Sequence, residues 1–132
     1  MVAPMARSLE ALFPAAYEAA ARRRPIDLVH LAKQTLGDWA LECEVLRMFD
    51  EVARAYFKRL EASTNSDELL MNLHALRGAA SGVGAWGIVD MCKLAEHEVR
   101  DGEINPERID DIAMTVEETR AFITDLLEQE AT

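Results

Sequence analysis

The residues in this chain best placed to do chemistry are His74, Arg77 and Gly78, and the case rests on their phase. At about 100° per residue, Leu69, Leu73, Leu76, Ala80 and Val83 fall on one side of a helix, at the spacings of a core-facing stripe. His74, Arg77, Gly78 and Ser81 fall on the other side, with Leu70 and Met71 beside them. An imidazole on that side is not needed for packing. An unperturbed histidine titrates near 6.5, so a neutral imidazole with an open lone pair is available at cellular pH, which is a usable nucleophile. Arg77 and Gly78, three and four residues on, are its neighbours along the helix surface. A mid-helix glycine costs about 1 kcal/mol relative to alanine. Its position beside an outward histidine therefore implies that something large comes close to the ring.

The elements around this helix read as helices throughout. Asp27 caps a short one running to Leu36, with Gly37 ending it. Asp38 caps a long one from Trp39 to about Leu60, with a stripe of Val45, Leu46, Phe49, Val52, Ala53, Tyr56, Phe57 and Leu60. Ser63 to Ser66 is a turn. Asn65 with Glu68 three residues later gives a capping-box start to the His74 helix, and Gly84 its stop. The next helix, about Trp86 to Asp101, offers Ile88, Met91, Cys92, Ala95 and Val99 to a core, and Gly102 closes it. Asn105 and Pro106 open a last helix with a seam of Ile109, Ile112, Val116, Ile123 and Leu127. No strand-like alternation and no internal repeat occurs. The expected fold is all-α: an up-and-down four-helix bundle with additional N-terminal helical segments. Residues 1–25 are expected to form a helical extension, interrupted at Pro14 and packed on the bundle of residues 26–132 through Leu9, Leu12, Phe13, Ala16, Tyr17 and Ala20.

Composition narrows the function. A net charge of −10 argues against a nucleic-acid binder, which needs a basic face. The charge is uneven: residues 1–24 hold four basic and two acidic side chains, the remainder ten basic and 22 acidic. No apolar run is long enough to span a membrane, and Met1 to Leu12 lacks signal-peptide organisation, so a cytoplasmic protein is expected. Cys43 and Cys92 are far apart and read as reduced thiols. A bundle metal site using His30, His97, Cys43 or Cys92 lacks the expected Glu-x-x-His motif. The residues three before the histidines are Asp27, Met71 and Leu94, so no metal is expected.

The pattern His74-x-x-Arg77-Gly78, continuing to Val83-Gly84-Ala85 in an acidic, strandless chain, resembles the histidine-containing phosphotransfer (HPt) domains of two-component phosphorelays. The resemblance covers roughly residues 26 to 129. Two positions depart from it: Arg77 stands where lysine is more usual, and Ser81-Gly82 reverses a usual glycine-then-polar order. The resemblance implies that His74 is a phosphoacceptor; its distal nitrogen Nε2, which projects furthest from the helix, is the natural nucleophile, and Nδ1 then carries the proton. Arg77 would then offset charge on the phosphoryl oxygens. Similar domains often carry Gln or Glu at the distance of Glu96, which makes Glu96 the candidate acceptor for the Nδ1 proton. Periodicity does not choose it over Glu98. Leu70, Met71, Gly78 and Ser81 would help make the docking surface.

The chain has no nucleotide loop, no kinase-type ATP site and no acidic cluster arranged for Mg²⁺. By resemblance it is a phosphoryl carrier and not an enzyme, with no cofactor of its own and Mg²⁺ on the partner. Its partners would be response-regulator receiver domains and a hybrid sensor kinase, the group moving reversibly between aspartates through His74. A docking adaptor that is never phosphorylated, or the phosphoacceptor domain of a larger kinase, are the alternatives. A stand-alone monomer is the expectation.

Overall fold

The computed structural model describes residues 24–103 and 105–131. The expected N-terminal helical extension falls, but for Arg24 and Pro25, outside the described residues. Among the described residues five helices follow one another: α1 (Leu28–Gln34), α2 (Trp39–Glu61), α3 (Ser66–Val83), α4 (Trp86–Arg100) and α5 (Pro106–Ala131). The four longer ones form the bundle. Each packs on its neighbour in sequence, and α5 closes the ring against α2, while α1 lies against α2 and α3. The fold is the expected all-α bundle.

The stripe of α3 is the spine of the core. Leu69, Leu73, Leu76, Ala80 and Val83 are all buried, alongside Leu46, Phe49, Ala53 and Leu60 of α2 and Ile88, Cys92, Ala95 and Val99 of α4. From α5 come Ile112, Val116, Ile123 and Leu126. Leu126 is buried, and the expected Leu127 is partly buried and packs against the same core, so both contribute to the end of the α5 seam. Filling this core with branched aliphatic side chains removes apolar surface from water, the dominant stabilising contribution.

The helix ends follow local chemistry, with two differences from expectation. The α1 helix stops at Gln34, and Leu36 itself takes a left-handed conformation (φ 54°) ahead of Gly37 (φ 79°). Thr35 closes the helix by donating its hydroxyl to Leu31 O at 3.0 Å and to the buried Glu42 Oε1 at 3.1 Å. At the start of α3, Asn65 Oδ1 accepts from Glu68 N at 2.9 Å as expected. The returning Glu68 carboxylate accepts from Thr64 N at 3.0 Å, one residue upstream of the usual box.

The turn from α3 to α4, which carries one wall of the site, is anchored by Asp27. Its Oδ1 caps α1 by accepting from His30 N (3.1 Å), and its Oδ2 accepts from the Trp86 indole Nε1 (2.9 Å). Its own N–H donates to Gly84 O at 2.9 Å. Gly84 ends α3 at φ 78°, and a Cβ there would lie 3.0 Å from Asp27 Cβ and 3.1 Å from Asp27 O. Only glycine meets both demands.

Candidate functional site

The outward side of α3 and the adjoining side of α4 enclose an open cleft of about 590 Å³, lined by His74, Arg77, Gly78, Ser81, Trp86, Val89, Asp90 and Lys93. The α3 members are the residues left over when the core stripe is satisfied. The α4 members recur at i, i+3, i+4 and i+7, one face of that helix.

His74 stands at the rim with its side chain 72% exposed. Its Nδ1 faces inward, 2.8 Å from Arg77 Nη2 and 3.6 Å from Glu96 Oε1. Nε2 has no protein partner among the described residues and is the nitrogen left to the cleft. Glu96 reaches the site from α4 with its carboxylate 3% exposed. Arg77 Nε lies 2.8 Å from Glu96 Oε2. That approach is a close charge pair and not an aligned hydrogen bond, because the Nε hydrogen has no well-directed acceptor. Glu96 Oε1 is likewise buried without a hydrogen-bond partner. A buried carboxylate is tolerated at such a place because a guanidinium lies against it.

Three of the sequence-derived residues, His74, Arg77 and Glu96, thus form one cluster. The ambiguity with Glu98 disappears: Glu98 turns to α5, where Arg108 Nε donates to its Oε1 at 2.6 Å. The cluster differs from the expected arrangement in one respect. The group within hydrogen-bonding distance of Nδ1 is the donor Arg77, and the expected acceptor Glu96 stands several tenths of an ångström outside that range.

Gly78 is exposed, and a Cβ built on it would meet nothing within 4 Å, so packing inside the molecule does not require a glycine here. Ser81 is exposed in the cleft and Met71 is 64% exposed on the same helix. Leu70 is half-buried and packs against the core, so it offers less surface than expected. Trp86, Val89, Asp90 and Lys93 were not singled out from sequence. Their helical spacing was the available signal, but an aromatic, an aliphatic and two charged residues show no common chemistry until α3 is beside them.

Cys92, one turn before Glu96, is fully buried, and its thiol is pushed up to about 12 by burial, with Glu96 adding to the shift and Arg77 opposing it. It is a neutral core group. Among the described residues, no three His, Cys, Asp or Glu side chains come together as a metal site, and no helix is long and apolar enough to cross a membrane.

The family model of the Hpt domain matches residues 44–129, which spans α2 to α5 and includes the whole His74–Arg77–Glu96 cluster. The chain belongs to the Hpt domain family. No curated protein and no solved structure matches it. Membership implies histidine phosphotransfer in two-component signalling, in which Hpt domains carry phosphoryl groups and interact with receiver domains and kinases. In this Hpt domain the cleft walls come from α3 and α4.

Proposed function

We propose that His74 is the phosphoacceptor of a relay step. It takes a phosphoryl group from a receiver-domain aspartate, in a hybrid sensor kinase or a separate regulator, and passes it reversibly to a response-regulator aspartate. The observation that carries this reading is the pose of His74: an exposed imidazole whose inner nitrogen is engaged by Arg77 and whose outer nitrogen opens onto the cleft.

Each surrounding residue has a part that its position supports. Arg77, partly exposed beside the ring, is within a side-chain rotation of an incoming phosphoryl group, to which a guanidinium donates charge-assisted hydrogen bonds. Gly78 keeps the approach to the ring low. Met71 supplies adaptable apolar contact and Ser81 a hydroxyl, with Trp86, Val89, Asp90 and Lys93 forming the opposite wall. Leu70 contributes only an edge.

The transfer forms an Nε2–P bond as the aspartyl O–P bond breaks, and the aspartate leaves as carboxylate. The protein acts as a cytoplasmic monomeric carrier, with Mg²⁺ held by the receiver partner. Incubation with a phosphorylated receiver domain tests this. The expected result is transfer of label to this protein as an acid-labile, alkali-stable phosphate. Binding without label would identify a docking adaptor instead.

A further inference from the structure

The short contact between Arg77 Nη2 and His74 Nδ1 has a direct consequence for the ring. A guanidinium has only donors, so at 2.8 Å it requires Nδ1 to be the lone-pair nitrogen. In the neutral ring the one proton then sits on Nε2, the nitrogen facing the cleft. A ring in that state cannot attack through Nε2, because that lone pair is occupied by the N–H bond. The acceptor that would hold the opposite tautomer is already in place. Glu96 Oε1 is buried, has no hydrogen-bond partner, and stands 3.6 Å from Nδ1. A shift of a few tenths of an ångström brings it into hydrogen-bond range once Arg77 Nη2 has left.

We propose that Arg77 is a tautomer latch: at rest it holds His74 in the unreactive Nε2–H form, and when it swings away Glu96 Oε1 captures Nδ1–H and frees Nε2. This inference deepens the phosphorelay reading and rests on it. The natural trigger is an anionic group in the cleft, such as a phosphoryl on a docked partner, which competes for the guanidinium. The proton balance is simple. The Nε2 proton leaves to water, a proton from water is placed on Nδ1, and the ring stays neutral. When the Nε2–P bond then forms, no further proton has to be lost, and the positive charge on the phosphorylated ring faces the Glu96 carboxylate. Arg77 and Glu96 act through His74 and are positioning residues. The other charged groups at the cleft, Asp90 and Lys93 on α4, are not in contact with Nδ1. The latch gives a carrier with an exposed imidazole a reason to stay inert until a phosphorylated partner is seated.

The test is the tautomer state of His74, read by long-range proton–nitrogen correlation spectroscopy on the full chain with ¹⁵N-labelled histidine. Spectra are taken at about pH 8, above the ordinary imidazole range. His74 is told apart from His30 and His97 by the signals missing in His74→Gln. The wild type is expected to be mostly Nε2–H. Arg77→Met, which keeps an apolar stem but can donate to neither partner, is expected to be mostly Nδ1–H. Arg77→Ala serves the same purpose if the methionine disturbs the fold, and adding Glu96→Gln to either should weaken the Nδ1–H form. A wild type already in the Nδ1–H form, or an Arg77 variant that stays Nε2–H, would overturn the latch. Because no partner or phosphate is involved, the result is separate from the labelling experiment. Failure to accept label with the tautomers as expected would overturn the functional reading alone.

Discussion

Arg77 Nε lies 2.8 Å from Oε2 of Glu96, a carboxylate that is 3% exposed between two helices of the bundle. The pair joins the functional side of the molecule to its stability. Removing the cation leaves the carboxylate in a poorly solvated place with no opposing charge. Because Arg77 is itself partly exposed, water can reach part of the site and moderates the penalty. Arg77→Ala is expected to cost about 1–3 kcal/mol of stability, measured by urea unfolding. Arg77→Lys should recover a good part of it. Equal stability of all three proteins would mean that the pair is not holding Glu96 in place.

Gly78 separates fold from function in the opposite direction. With open space around its missing side chain, Gly78→Ala should stabilise α3 by about 0.5–1 kcal/mol, the ordinary helix preference of alanine over glycine. Gly78→Phe should leave the isolated fold intact and slow phosphotransfer at least about tenfold, since a loss of about 1.4 kcal/mol at the docked complex suffices for that. An unchanged transfer rate in the phenylalanine variant would remove the close-approach argument.

Stability should also respond to alkaline pH through Cys92. Its thiol stays protonated in the folded chain to about pH 12 but ionises from about 9.0 once exposed. The unfolded state therefore binds fewer protons across that interval, and stability falls as pH rises through it. The slope is at most about 1.4 kcal/mol per pH unit. Cys92→Ala should flatten it, in urea unfolding repeated along the pH series. A wild-type slope unchanged by the substitution would assign the alkaline loss to other groups.

The sequence was most informative where one physical demand dominated. The α3 stripe had to be buried, so the five residues carrying it were legible, and with them the outward phase of His74, Arg77 and Gly78. Glu96 was only half legible. A carboxylate at the edge of an apolar stripe looks the same whether it is solvated or drawn inward by a cation on another helix. Only the apposition of Arg77 decides between Glu96 and Glu98. Nor did spacing reveal that Arg77 engages the ring nitrogen, since the same side chain reaches solvent, the carboxylate or the imidazole by rotation alone. The α4 wall was missed for a related reason: Trp86 is fixed by Asp27, 59 residues away, a contact with no local signature.

The central claim is that His74 itself receives the phosphoryl group, and site-resolved labelling tests it most directly. A phosphorylated receiver domain is mixed with wild type and with His74→Gln, and the label is located under alkaline conditions that preserve phosphohistidine. The account predicts label on His74 in the wild type and none in the variant, with helicity and melting of the two proteins nearly equal because the ring is outside the core. Label at the normal rate in His74→Gln would contradict it.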